Sequence, residues 1–201
     1  MKLHYSPRTR AARVRWLLLE LGVPHELNTI DVFTGEGRKA EHLALHPHGF
    51  VPALEEEGIV LIESAAICMH LADRYGDGKL APALGTLERG KYYEWMVYVP
   101  AMADPCLETI MFHTVFLPEH MRVSSLVERA RKRWKKVEAR FASAVASQPF
   151  ILGEQFSAAD VLVGSTLAWS RAAGAWGDDP ALSAYAERLE SRPAFIEAHS
   201  S

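Results

Sequence analysis

The first third of the chain has short apolar runs separated by polar turns, a pattern typical of strands alternating with helices. Residues 3–6 and 25–32 are predicted to form two strands, with an amphipathic helix over residues 10–21 between them. Gly22 follows that helix directly, where glycine commonly ends a helix. A second, short helix is predicted over residues 38–45.

Two further apolar runs, residues 51–54 and 59–62, flank the acidic stretch 55–58. This pattern predicts a β-hairpin with about four loop residues. Pro52 cannot donate to a sheet ladder, and we predict a cis bond between Val51 and Pro52. Such a bend leaves the N–H and C=O of Val51 facing outward, where they could pair with an extended peptide.

Glu63 and Ser64 come directly after the second run and open a helical pattern over residues 65–75. Unpaired N–H groups at a helix start, together with the Ser64 hydroxyl, form a site of carboxylate size. Glu63 beside them could hold an ammonium group. A ligand with both groups at one end and a peptide backbone further along fits this arrangement, and glutathione is such a ligand.

The rest of the chain follows helical spacing after a turn-rich linker at residues 76–82. A long helix is predicted over residues 86–102, bent or interrupted by Pro100 and Pro105, with a continuation to residue 116. Another is predicted over residues 124–147, with closing helices at 181–189 and 193–198. Ser157 and Asp160 predict a capping box. The predicted domains are therefore residues 1–76 and 84–201.

Four motifs in this order resemble the glutathione transferase family. The first is residues 1–7 and the second is residues 21–24. The third combines Val51–Leu54 with Glu63-Ser64, and the fourth is residues 156–160. The resemblance covers the whole chain. It implies an α/β plus all-α fold, in which a thioredoxin-like N-terminal domain binds glutathione and an all-helical C-terminal domain contributes the electrophile site.

The resemblance also implies roles for individual residues. Glu63 and Ser64 match the pair that holds the γ-glutamyl end of glutathione, and Val51, before Pro52, matches the residue that pairs with the cysteinyl backbone. Family members often have a lysine where this chain has Phe50.

Phe50 cannot supply the cation that such a lysine offers to the glycyl carboxylate. His48 and Lys39 are the alternatives in this chain. Weaker affinity for glutathione is the other outcome that the sequence leaves open.

The turn after the first strand carries, in this family, the side chain that faces the glutathione sulfur. No cysteine lies there, so mixed-disulfide chemistry is not expected. Thr9 is the first candidate hydroxyl donor and Ser6 the second, with the guanidinium of Arg10 as a third possibility. The alternative is that Thr9 caps the helix and Ser6 turns the chain.

The electrophile site is the least specified part. Apolar residues on helices that line the cleft in the family are the candidates here, and each could instead belong to the core. They are Tyr98, Met102, Met111, Phe112 and Trp169.

Composition excludes several other classes of function. The 201 residues are 49% hydrophobic and 23% charged, with a net charge of −3. Neither nucleic acid nor a membrane is an expected partner, and the expected location is cytoplasmic. The two cysteines indicate no disulfide framework. Pro47 breaks the spacing of His42, His46 and His48, so no metal site is expected.

Together these features predict a homodimeric glutathione transferase. Its reaction would be attack of the glutathione thiolate on a small apolar electrophile, with glutathione as co-substrate. The alternatives are a glutathione-dependent isomerase or lyase on the same site, and a non-catalytic binding protein of the same fold.

Overall fold

The computed structural model describes residues 1–200. Contacts along the chain divide it into two units. The first contains Met1–Ala81 together with residues 191–200, and the second contains Pro82–Glu190.

The first unit is built on a four-stranded mixed sheet in the order β2-β1-β3-β4. Strands β1 and β2 are parallel, and the pairs β1–β3 and β3–β4 are antiparallel. The order along the chain is β-α-β-α-β-β-α, as predicted. The elements are β1 Lys2–Tyr5, α1 Ala11–Leu21, β2 Glu26–Thr29, α2 Ala40–Leu43, β3 Ala53–Glu56, β4 Ile59–Ile62 and α3 Ser64–Tyr75.

The core of this unit lies between the sheet and the packed pair of helices α1 and α3. Leu3 of β1, Leu54 of β3 and Leu17 of α1 are fully buried. Helix α1 ends where the sequence predicts, because Gly22 has φ of 63° and its N–H donates to carbonyls of the last turn. The first unit therefore has the predicted thioredoxin-like arrangement.

The predicted hairpin is present, but its loop is shorter than expected. Glu56 pairs with Ile59, so only Glu57 and Gly58 form the turn, with φ values of 49° and 82°. Two consecutive residues with positive φ make the tight hairpin turn whose twist suits antiparallel strands. The expectation of about four loop residues was wrong because Glu55 and Glu56 lie in β3.

The carboxylates of Glu55 and Glu56 are stabilised in β3 by hydrogen bonds. Glu55 accepts a hydrogen bond of 2.7 Å from His4. Glu56 is buried and accepts hydrogen bonds from His70, at 2.7 Å, and from the Tyr75 hydroxyl. Although burial alone would raise the pKa of Glu56, these bonds and the charge of Arg74 lower it.

The regular secondary structure of the second unit is helical, and its first long helix changes pitch at Pro100, where the sequence predicted a bend or an interruption, whereas Pro105 lies within a regular α-helical segment. Helix α4, Leu87–Tyr98, continues into a wide π-helical segment Val99–Ala103, then α5, Asp104–Met111, and a second π-helical segment Phe112–Phe116. A short 3-10 helix, Glu119–Met121, is followed by three α-helices, namely α6 Ser124–Val145, α7 Ala158–Ala172 and α8 Pro180–Glu190.

The predicted capping box at the start of α7 is confirmed. Ser157 donates to Asp160 from both its backbone N–H and its hydroxyl, each at 2.8 Å. The same buried carboxylate accepts from the N–H of Ile151 and from the Tyr185 hydroxyl of α8, also at 2.8 Å. Asp160 is therefore structural, because it joins α7, α8 and the preceding loop.

The last helix, α9, Pro193–His199, belongs to the first unit and packs on α1. Arg192 forms two hydrogen bonds to the Glu20 carboxylate, at 2.6 and 2.8 Å. The rings of Phe195 and Trp16 meet edge to face at 4.9 Å. The end of the described chain thus covers α1.

Candidate active site

Sheet register brings three turns of the first unit to one end of the sheet. Ala53, the first residue of β3, pairs with His4 near the end of β1 and with Ile62 at the end of β4. The turn that follows β1, the segment that precedes β3 and the start of α3 therefore share that end. These are the three places where the sequence analysis put its thiolate and glutathione residues.

Val51 and Pro52 form the middle of this site. Their peptide bond is cis, as predicted. Pairing of β3 begins only at Ala53, so the half-buried Val51 lies beyond the ladder, and Pro52 is buried behind it. The backbone of Val51 is thus positioned where a bound peptide could pair with it.

The loop before Val51 is held from within by His42. This side chain is 2% exposed, and its Nε2 atom lies 2.8 Å from the carbonyl oxygen of Phe50. The backbone carbonyl of His42 also accepts from the N–H of His46 at 2.8 Å. From the sequence, His42 was considered only as a metal ligand, because no local pattern reveals its contact with the Phe50 carbonyl.

A close backbone approach fixes the same loop on its other side. A Cβ placed on Gly37 would lie 2.2 Å from the Gly49 carbonyl oxygen, and one on Gly49 would lie 2.5 Å from the Gly37 oxygen. Both distances are shorter than any real Cβ contact, so a side chain at either position would force the two segments apart.

Glu63 and Ser64 form the end of the site at the start of α3. Glu63 is exposed and has φ of 70° and ψ of 108°, a region that non-glycine residues rarely occupy. Its side chain makes no capping hydrogen bond, while its carbonyl accepts the first helical bond, from Ile67 at 3.0 Å. The N–H groups of the first turn of α3 therefore have no side-chain cap and can receive an anion.

The candidate thiolate residues lie in the turn between β1 and α1. The Thr9 hydroxyl donates to the Ser6 carbonyl at 2.7 Å and accepts from the N–H of Ala11 at 3.2 Å. Ser6 is 2% exposed, whereas Arg10 is exposed. Thr9 therefore supports the start of α1, and its hydroxyl proton must turn away from Ser6 before it can reach a ligand.

The side chains proposed for the glycyl end differ in how available they are. Phe50 is 59% exposed and, with His46 and His48, forms a group of rings whose centroids lie 5.7 to 6.2 Å apart. His48 is exposed, while burial lowers the pKa of His46. Lys39 is paired with Glu36 at 3.0 Å. Of the two histidines that adjoin Phe50, His48 is thus the exposed one.

In the helical unit, Tyr98 and Met102 are one helical turn apart at the junction of α4 with the first π-helical segment. The Tyr98 ring packs edge to face against Trp95 at 5.6 Å, and the Arg140 guanidinium lies 4.7 Å from its centroid. Burial raises the pKa of the Tyr98 hydroxyl. Met102 is 40% exposed, and Arg133 donates to its sulfur at 3.2 Å.

The remaining electrophile candidates lie further along the same unit. Met111 ends α5 half-buried, and Phe112 begins the second π-helical segment 45% exposed, with its ring 5.8 Å from that of Phe116. Trp169 is half-buried on α7, a helix that packs against α4 and α5. These residues are therefore partly accessible, unlike the fully buried core of the unit.

The described residues give two further findings. No helix within residues 1–200 is long and apolar enough to cross a membrane. Over the same range, no group of three or more His, Cys, Asp or Glu side chains could hold a metal ion.

A thioredoxin-like unit with a cis-proline before its third strand, followed in the chain by an all-helical unit, defines the glutathione transferase class of folds. Comparison with known families agrees. Residues 8–74 match the family described as "Glutathione S-transferase, N-terminal domain", and residues 124–188 match "Glutathione S-transferase, C-terminal domain".

Individual relatives give the same result. The chain is 31% identical over 166 residues to glutathione S-transferase hmp2 of Hypomyces subiculosus, covering 78% of this chain and 76% of that one. It is 32% identical to glutathione S-transferase F12 of Arabidopsis thaliana over 170 residues, with the same coverage. A sphingomonad glutathione S-transferase solved in complex with glutathione superposes with a TM-score of 0.86, at 28% identity, covering 100% of this chain and 98% of that one. The chain belongs to the glutathione S-transferase family.

Proposed function

We propose that this enzyme joins glutathione to small, mostly apolar electrophiles. The glutathione thiolate would attack an electrophilic carbon, so that a sulfur–carbon bond forms. In a substitution the leaving group departs with its bonding electron pair; in an addition to an unsaturated carbonyl compound the π electrons move to the carbonyl and a proton is taken up from water. The observation that carries this proposal is the sheet register around Ala53, which gathers the turn after β1, the Val51–Pro52 segment and the start of α3 at one end of the sheet.

In this proposal glutathione lies across that end of the sheet. Its γ-glutamyl carboxylate is bound by the uncapped N–H groups of α3 and the Ser64 hydroxyl, and its ammonium group by Glu63. The cysteinyl backbone pairs with Val51. The glycyl end lies near Phe50 and His48, where His48 is the candidate partner of its carboxylate.

The sulfur would then face the turn between β1 and α1. A hydroxyl that donates to a charged sulfur stabilises the thiolate over the thiol, and the positive end of the α1 dipole adds to this effect. Thr9 is the first candidate, Ser6 the second and Arg10 the third. The electrophile would be bound by apolar side chains of the helical unit, namely Tyr98, Met102, Met111, Phe112 and Trp169.

We extend the proposal to a cytoplasmic location and a homodimer, as the resemblance to the family implies. Light scattering at micromolar concentration tests the dimer, and a monomer mass would exclude it. Fractionation of cells that produce the protein tests the location.

The central experiment pairs a binding measurement with a conjugation assay. Titration calorimetry with glutathione establishes binding, and a panel of aryl halides and unsaturated carbonyl compounds then tests for sulfur–carbon bond formation. Binding without conjugation by any member of the panel would favour a non-catalytic protein, a reading that the missing lysine at Phe50 supports. Absence of binding at millimolar glutathione would refute the proposed function.

A further inference from the structure

One buried side chain holds the peptide plane between Phe50 and Val51. A carbonyl oxygen can only accept a hydrogen bond, so the Nε2 atom of His42, 2.8 Å from the Phe50 oxygen, carries a proton and donates it. The other ring nitrogen, Nδ1, is buried and has no hydrogen-bond partner within residues 1–200. The hydrogen bond that the structure gives to this ring is therefore directed at the peptide that precedes Val51.

Because this peptide unit is planar, the direction of its C=O group fixes the direction of its N–H group. The Phe50–Val51 bond is trans, so its C=O and its N–H point in opposite directions. The Phe50 oxygen points towards His42, which is buried, and the Val51 N–H therefore points away from it. A flip of this plane would exchange the two groups, so that the outward side would present an acceptor in place of a donor.

We propose that His42 is a positioning residue for glutathione, which holds the Phe50 oxygen so that the Val51 N–H is presented to the cysteinyl carbonyl of the co-substrate. This inference rests on the proposed function. Its physical basis is preorganisation, since a donor already aimed at the ligand has no reorientation to undergo on binding.

Two other contacts hold the loop on either side of this plane. The backbone carbonyl of His42 holds His46 at the start of the loop, at 2.8 Å, and the contact between Gly37 and Gly49 holds its middle. Neither contact involves the Phe50–Val51 peptide itself. Among the described contacts, the side chain of His42 is the one that acts on that plane.

Three variants separate the hydrogen bond from the volume of the side chain. His42→Phe fills the space without a donor, whereas His42→Gln places an N–H at a similar reach. His25→Phe is the matched control, because His25 also forms a 2.8 Å hydrogen bond to a carbonyl oxygen, that of Val23, at the opposite end of the sheet. We expect His42→Phe to bind glutathione about tenfold more weakly, and both His42→Gln and His25→Phe to bind like the parent. Should His42→Phe not fold, His42→Leu takes its place.

A second readout reports on the Val51 amide directly. In the ¹⁵N-labelled parent, added glutathione should shift the amide resonances of Val51 and Ser64. In His42→Phe at saturating glutathione, the Val51 response should shrink while that of Ser64 remains. A parent that shows no binding refutes the proposed function. A parent that binds, with a His42→Phe variant of equal affinity and an equal Val51 response, overturns the role of His42 alone.

Discussion

Replacing Thr9 by valine removes a hydroxyl while keeping the shape of the side chain, and it tests how the glutathione thiol is activated. In the structure this hydroxyl donates to the Ser6 carbonyl at 2.7 Å. To donate to a bound sulfur, the hydroxyl must break its bond to Ser6. The free energy lost with that bond offsets part of the free energy gained by stabilising the thiolate. The expected effect is therefore smaller than that of a hydroxyl with no other acceptor.

The magnitude follows from the two hydrogen bonds. A bond to a charged group contributes about 1.5–3 kcal/mol, and the neutral bond to Ser6 that is lost contributes about 0.5–1.5 kcal/mol. The midpoints of these two ranges differ by about 1.3 kcal/mol, which corresponds to about one pKa unit of the thiol. We therefore expect the pKa of bound glutathione to rise by about one unit in Thr9→Val, and to stay close to the parent value in Thr9→Ser.

Ultraviolet absorption of the thiolate measures this directly, by pH titration of each variant saturated with glutathione. Ser6→Ala in parallel should change the midpoint less, because Ser6 is 2% exposed and the backbone carbonyl that accepts from Thr9 is kept in this variant. Thr9→Val also loses the acceptor for the Ala11 N–H, so a loss of stability of about 1 kcal/mol is expected separately. An unchanged midpoint in Thr9→Val, with a folded and saturated protein, would refute the reasoning and leave Arg10 or backbone amides as the groups that face the sulfur.

Three other predictions concern single carboxylates and the start of α3. Glu63→Ala and Ser64→Ala should each weaken glutathione binding about ten- to a hundredfold with little change in melting temperature, and calorimetric affinities equal to the parent's would place the γ-glutamyl site elsewhere. Glu56→Gln should cost about 2 kcal/mol of unfolding free energy at pH 7. Because the folded-state pKa of Glu56 is lowered, that cost should shrink as pH falls below about 4.5, and denaturant titrations showing a constant difference would contradict it. Asp160→Asn should destabilise the fold by about 3 kcal/mol, since an amide cannot accept all four of the hydrogen bonds it would inherit, and an unchanged denaturation midpoint would exclude the structural role.

Most of the fold could be predicted because its signals are local. The helix stop at Gly22, the capping box at Asp160 and the irregularity of the helix at Pro100 each depend on residues close together in sequence. The hairpin loop was misjudged because a run of glutamates resembles a polar turn, whereas Glu56 is stabilised by His70 and Tyr75, 14 and 19 residues further on. Pairings at such separations leave no periodic trace in the sequence.

In the candidate site, too, some residues could be predicted from local motifs and others could not. Val51, Glu63 and Ser64 could be proposed from short motifs, and sheet register brings their segments to one end of the sheet. The contact between His42 and the Phe50 carbonyl could not be predicted, because a buried histidine on a four-residue helix has the same sequence pattern whether or not it holds a backbone oxygen. The packing of α9 on α1 was also missed, since its amphipathic pattern does not identify the face that receives it.

The contact between Gly37 and Gly49 has a consequence for how this loop can change over time. Both positions are closed to every residue larger than glycine, so substitutions that alter the rim of the site must fall elsewhere. His48 and Phe50 stand on either side of Gly49 with exposed side chains that can be exchanged at little cost to the fold. Changes in the preference for the thiol co-substrate would therefore accumulate at His48 and Phe50, while Gly49 between them stays the same. A library randomised at positions 48 and 50 would sample these changes directly.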